Sequence, residues 1–380
     1  MGIIDSMETS LYIHIPFCRR KCIYCDFYSA IYDDGLAADY IGAIAKQLET
    51  LDGPFSTIYI GGGTPTVLDT KLLERLLGAL RRLCGVNVEF TIEANPESVD
   101  SDKLKLLQSF GVNRISIGMQ SMRDEKLKAL GRIHNARKSM EAIELVVKTG
   151  FNNIGADIIF GVWAETFDSW KKEIRYAAEL PVQHISCYGL TYEKGTPLYN
   201  AVRDGSVGPL ADEVTAAMYE CAIDTLGVGE FRQYEVSNFA KEGFKSRHNL
   251  NYWENNDYVG LGASAVSYIG GSRDNFVCDV KEYIKRVDAG RSPVGSSEKL
   301  PPLRRAKETA AIKIRTKAGI DFEWFRQKTG FDFLKLEKSA IDKLIAQDLI
   351  KYIKKDNHPA GIALKCKGVL FSDTVSSALL

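Results

Sequence analysis

Three cysteines fall within eight residues, Cys18, Cys22 and Cys25, in the spacing C-x3-C-x2-C. Thiolates are the usual ligands of iron–sulfur clusters, normally four to a cluster. One loop that offers three can hold three corners of a [4Fe–4S] cube and leave the fourth iron open. An open iron can bind the amino and carboxylate groups of S-adenosylmethionine (SAM), and an electron from the cluster can then break a sulfonium C–S bond. Two other readings compete. His14, four residues before Cys18, would complete a His-Cys-Cys-Cys zinc site, although it falls on a predicted strand and closed zinc sites usually draw ligand pairs from two segments. The cysteines could also be purely structural. The remaining five (Cys84, Cys187, Cys221, Cys278 and Cys366) are scattered and read as small hydrophobes.

The elements that must position this loop alternate two periods. Strand-like runs at Leu11–Ile15, Thr57–Ile60, Val88–Glu93, Arg114–Gly118, Ile154–Phe160 and His184–Leu190 are separated by stretches with apolar residues at helical spacing, Leu36–Leu51, Lys71–Leu83, Asp102–Phe110, Ala136–Thr149 and Phe167–Leu180. Strict alternation implies parallel βα units, and six of them predict an open, partial (β/α)6 barrel with its chemistry at the C-terminal strand ends. Gly61–Gly63 close the second strand, as a tight turn or as backbone bared for a ligand. Asp212–Leu226 reads as a further helix, and residues 227–271 as loops and short strands that return to cover the barrel. After Pro301-Pro302 come helices (Arg304–Lys317, Phe322–Lys328, Leu334–Gln347) and a strand pair (Ile350–Ile353, Gly361–Leu364), a winged-helix-like α+β unit. The expected boundaries are 8–235, 236–299 and 300–380.

With 45% apolar and 26% charged residues the composition is that of a globular protein. No apolar run is long enough for a membrane span and no secretory signal is visible, so a cytoplasmic location is expected. Met1-Gly2 with Ser6 fits the short myristoylation pattern, while Met7 is an alternative start. Lys plus Arg equals Asp plus Glu at 49 each, which argues against nucleic acid as a partner. From Pro301 onward 16 basic residues face 9 acidic ones, a solvated helical face or a surface for an acidic partner or transient membrane contact.

Tyr12 to Phe27, Gly61-Gly62-Gly63-Thr64-Pro65-Thr66, Glu93-Ala94-Asn95-Pro96-Glu97, Asn113 to Ser121 and Leu130-Gly131-Arg132 together resemble radical SAM proteins of the oxygen-independent coproporphyrinogen III oxidase group. The resemblance implies a radical SAM barrel. It implies a [4Fe–4S] cluster on Cys18, Cys22 and Cys25. It also implies a SAM pocket bordered by Tyr12 and Tyr24 (Tyr24 near the adenine), by the backbone of Gly62, Gly63 and Thr64, and by Glu93, Gln120, Arg132 and Asp157, with Arg132 suited to a two-pronged clasp of the SAM carboxylate.

Within that group the chain resembles a heme-chaperone branch more than the oxidases. Oxidases extend the motif to C-x3-C-x2-C-x-C, whereas Phe27 stands here, and the short stretch before Cys18 leads us to expect no counterpart of their longer N-terminal arm. His248-Asn249-Leu250-Asn251-Tyr252 matches the H-N-x-x-Y motif tied to heme binding, so the resemblance implies heme contacts by His248, Asn249 and Tyr252, with histidine a common axial ligand. It further implies heme-acceptor proteins and an electron-donor protein as partners, in a monomer or homodimer. Decarboxylation of coproporphyrinogen III is the alternative, and a radical SAM enzyme acting on another tetrapyrrole or small molecule is a third option. Val162-Trp163-Ala164-Glu165-Thr166 departs from the relatives' Leu-Pro-Gly-Gln-Thr, Val266 stands where a histidine is usual, and Leu364-Lys-Cys-Lys-Gly368 departs from Leu-Thr-x-x-Gly.

Overall fold

The computed structural model describes residues 9–380; the Gly2/Ser6 pattern and the alternative start at Met7 lie outside them. Six strands form the centre: β1 (Ser10–Ile15), β2 (Phe55–Gly62), β3 (Cys84–Ala94), β4 (Arg114–Gln120), β5 (Ile154–Phe160) and β6 (His184–Gly189). They lie side by side in chain order, all parallel. The connecting helices are α1 (Asp34–Glu49), α2 (Thr70–Leu80), α3 (Ser101–Ser109), α4 (Ala136–Thr149) and α5 (Phe167–Ala178). Each begins at a side-chain cap that the sequence supplies, Asp33, Asp69, Asp100, Asn135 and Thr166.

Parallel strands covered on both faces usually read as unbroken apolar runs. These alternate instead. Leu11, Ile13, Ile15, Ile58, Ile60, Phe90, Ile92, Ile115, Ile117, Ala156, Ile158 and Ile185 are buried in the main core. The other face carries Tyr12, His14, Thr57, Tyr59, Glu89, Thr91, Glu93, Arg114, Ser116, Asp157, His184 and Ser186. The register stacks these polar side chains in layers. Ser10, Thr57 and Glu89 form the lowest, and Tyr12, Tyr59, Thr91 and Arg114 the next. His14 and Gly61 lie above, followed round the sheet by Glu93, Ser116, Gly155 and His184. The interior of this barrel is therefore lined with side chains that can hydrogen-bond and titrate.

The chain after residue 227 adds to both edges of this sheet. Arg232–Gln233 and Asn238–Ala240 extend it beyond β6, while Tyr258–Leu261 pairs parallel with β1 and leads to Val266–Ile269, Ser272–Phe276 and Val294–Lys299. The result is one open twelve-stranded sheet. Helix Arg247–Trp253, which the fading periodicity hid, lies against β2. Past Pro301, helix Pro302–Lys313, strand Ile320–Asp321, helices Phe322–Thr329 and Phe333–Ala346, and strands Ile350–Lys355 and His358–Leu364 follow in winged-helix order, the three strands forming one antiparallel sheet. The α/β partial barrel with a C-terminal winged-helix-like unit is therefore as expected.

Candidate functional site

The cysteine loop leaves the C-terminal end of β1, and Gly61–Gly63 leave β2 beside it. Two backbone bonds clip the segments together: Gly63 N–H donates to Ile15 O at 2.9 Å and Thr64 N–H to Phe17 O at 2.8 Å. This crossing explains the glycines. A Cβ on Gly63 would stand 2.7 Å from Phe17 O, and one on Gly62, which has φ +110°, would stand 2.6 Å from the His14 ring. The run serves chain crossing first, and any ligand that lies on it gains from the same bareness.

Two of the three thiols are joined by a continuous hydrogen-bonded path. Cys18 Sγ lies 3.5 Å from Thr64 Oγ1, which accepts from Asn95 Nδ2 at 2.8 Å. Asn95 Oδ1 accepts from Arg132 Nη2 at 2.6 Å, and Arg132 Nη1 donates to Cys22 Sγ at 3.5 Å. Both ends place a donor on sulfur, which suits thiolate. Burial pushes the Cys18 thiol up and the Cys25 thiol up to about 11, so thiolate there needs a metal's positive charge. Among the described residues no three of His, Cys, Asp or Glu converge on one metal ion; the ligands of a cubane each take a different iron and need not converge. The zinc reading loses its fourth ligand. His14 points into the barrel, Nε2–H donating to Tyr28 O and Nδ1 accepting from Tyr12 OH, both at 3.0 Å. The residues present thus fit a cluster held by Cys18, Cys22 and Cys25.

The expected SAM residues gather round this loop in two groups. Glu93, at the end of β3, accepts from Tyr59 OH at 2.7 Å and from Gly62 N–H at 3.1 Å. Burial pushes its carboxyl up to about 7, against the pull of those donors. Asp157 accepts from Ser116 Oγ at 3.2 Å; burial raises it too, opposed by Ser186 and the Arg114 charge. Gln120 closes β4 with φ +64°, its Nε2 beside the bare Cα of Gly118. Tyr24 forms the second group, packing with Leu130, Ile159, Val162, Trp163 and Leu190 in a small apolar cluster apart from the main core. Two of the expected residues have partners of their own. Arg132 Nη2 already donates to Asn95 and to Gly118 O at 2.8 Å, so a two-pronged clasp of a carboxylate would have to break one of these bonds; as found, Arg132 is a strut of the cysteine loop. Tyr12 lies one layer down, its ring 6.1 Å from Tyr59.

The residues of the heme expectation lie in a buried setting at the other end of the barrel. His248 is not on an open loop. It sits 1% exposed on helix Arg247–Trp253, at the N-terminal end of the barrel strands, opposite to the cysteines. Thr57 donates to Ser10 Oγ at 2.7 Å, so His248 Nδ1–H donates to Thr57 Oγ1, also at 2.7 Å, and Nε2 accepts from Tyr252 OH at 3.0 Å. The lone pair that a heme iron would need is in use. As folded, both ring nitrogens of His248 are engaged, and a heme iron could take Nε2 only by displacing the Tyr252 hydroxyl.

Sequence reasoning missed several residues. Tyr59 donates to Glu93 and Ser116 to Asp157, and Asn95, quoted only as part of a motif, links Thr64 to Arg132. The paired His134 and Glu97, 3.1 Å apart, brace the loop that carries Arg132. The signal that could have found Tyr59 and Ser116 is alternation: each is an inward position of a strand already recognised. The departure at Val162–Glu165 is compensated. Buried Glu165 accepts from Gly161 and Val162 N–H and pairs with Lys126 Nζ at 2.6 Å, whose second partner is Glu173 at 2.9 Å.

The radical SAM superfamily model matches residues 12–177. The chain is 34% identical to the heme chaperone HemW of Bacillus subtilis over 98% of its own length and 99% of that protein's. It is 38% identical to HemW of Escherichia coli over 67% of the chain and 69% of that protein. Among solved structures it is similar to the coproporphyrinogen III oxidase HemN of Escherichia coli, a radical SAM enzyme, with a TM-score of 0.84 and 20% identity over 98% of this chain and 90% of that one; that likeness speaks for the fold alone.

Proposed function

The chain belongs to the HemW family of radical SAM proteins, and from that premise we propose that it is a heme chaperone carrying a [4Fe–4S] cluster and SAM, which hands heme to acceptor proteins in the cytoplasm and takes electrons from a donor protein. The observation that carries this reading is the end-to-end match to heme chaperones. Phe27, 64% exposed, stands where the oxidases carry a further cysteine. Cys18, Cys22 and Cys25 would hold the cluster, whose open iron would bind the amino and carboxylate groups of SAM and supply electrons. Glu93 and Asp157, with Gln120 between them in chain order, offer acceptors for ammonium and ribose hydroxyls. The small cluster round Tyr24 offers a flat apolar bed for adenine.

The test is anaerobic purification, cluster reconstitution and titration with hemin, followed by mixing with an apo-hemoprotein. A brown protein with about four irons, the content of one cubane, that binds heme saturably and transfers it is the expected result. Decarboxylation of coproporphyrinogen III would move the assignment to the oxidase. A zinc-loaded, colourless protein would end both readings.

A further inference from the structure

The H-N-x-x-Y segment is docked under the barrel by charge and by hydrogen bonds. Glu89, 7% exposed at the base of β3, accepts from the backbone N–H of Arg247 and of His248, each at 2.9 Å, and so caps the start of helix Arg247–Trp253. Arg247 Nη1 donates to Asn87 O at 2.7 Å and Asn251 Nδ2 to Asp257 O at 3.2 Å. Withdrawing this helix would leave buried Glu89 without its two backbone donors and Thr57 without the His248 Nδ1–H, and buried polar groups left unpaired are costly.

Above the helix, a stack runs upward to the expected SAM pocket. The His248 ring lies 4.9 Å from that of Tyr59 at an interplanar angle of 27° and 6.5 Å from that of Tyr12. The Tyr252 ring meets His248 edge-on at 4.9 Å. Tyr59 then passes its hydroxyl to Glu93, and Glu93 takes Gly62 N–H with its other oxygen. Tyr12 passes its own hydroxyl to His14, whose ring fills the space a Gly62 side chain would take.

We propose that His248 is a positioning residue of the SAM pocket, the floor on which Tyr59 and so Glu93 are set, and not an axial ligand of heme. The proposal rests on the reading that Glu93 belongs to the SAM pocket. Any histidine ligand of heme would then have to be another residue. Of the five histidines, four are buried, and His358, at the start of the last strand of the wing, is exposed.

The experiment uses the full-length, cluster-reconstituted protein under anaerobic conditions. SAM affinity is measured by equilibrium dialysis, and heme binding by absorbance and EPR, for wild type, His248→Ala, His248→Gln and Tyr252→Phe. His248→Ala should weaken SAM roughly five- to tenfold, the scale of a lost buried hydrogen bond with its packing, and leave heme affinity and the EPR signature unchanged. Glutamine, which can also donate to Thr57 and accept from Tyr252, should restore SAM binding to within about twofold. Unchanged SAM binding in His248→Ala, or loss of a histidine-ligated heme signature with SAM intact, overturns the proposal. A wild type that binds no SAM would instead remove the reading beneath it. Should His248→Ala fail to fold, Tyr252→Phe and mapping of histidines modified by diethylpyrocarbonate decide in its place. His358 should react and His248 should stay unmodified with or without heme; reaction of His248 that heme suppresses overturns the proposal.

Discussion

Tyr59→Phe separates the electrostatics of the SAM pocket from its packing. The substitution keeps the ring between Tyr12 and His248 and deletes the hydroxyl that donates to Glu93 Oε1 at 2.7 Å. Glu93 is raised by burial to about 7, and that hydroxyl is the largest influence holding it down. A hydrogen bond to a charged group is worth ~1.5–3 kcal/mol. The neutral acid keeps part of it, so about 1.4 kcal/mol distinguishes the two protonation states, which at 1.36 kcal/mol per pH unit raises the carboxyl by about one unit. If the ionised carboxylate accepts from SAM, affinity rises with pH through about 7 in the wild type. In the variant that rise is displaced upward by about one pH unit. At pH ~7.5 roughly three-quarters of wild-type sites and one-quarter of variant sites are ionised, so SAM binds about threefold more weakly to the variant, and the two converge above pH ~9. The assay is equilibrium dialysis of SAM across that range on the reconstituted protein. An unchanged midpoint, or an equal loss at every pH, would refute the role given to Glu93.

Other substitutions have opposite signs at neighbouring chemistry. Gly62→Ala forces a left-handed residue into the His14 ring and should cost at least ~1–3 kcal/mol of stability, whereas Gly78→Ala, exposed in α2 with open space around it, should stabilise by ~0.5–1 kcal/mol; thermal melts of both check the contrast. Lys126→Met leaves Glu165 and Glu173 buried without their cation and should cost ~3–5 kcal/mol in denaturant unfolding. Adding Glu165→Gln should recover part of that loss, and no recovery would mean the cation's packing on Trp170 dominates. A heme spectrum with a histidine ligand should survive His248→Ala, and its loss there with SAM binding intact would sink the argument from burial.

Much was legible in the sequence because it depends on local spacing. C-x3-C-x2-C fixes three thiols in one loop whatever surrounds it, and the two periods fix six βα units. Asn135 stands just before the predicted helix start at Ala136 and caps it, because capping is a contact three residues long. What the chain could not disclose alone are the contacts between distant segments. Glu89 and His248 are separated by 159 residues, and only docking of a short helix beneath the barrel turns a motif that looks like a ligand into a floor. Arg132 looked free to clasp a carboxylate until Asn95 and Gly118 took its hydrogens. A side chain's type sets what bonds it can make, but its availability depends on which bonds are already made, and tertiary structure decides that.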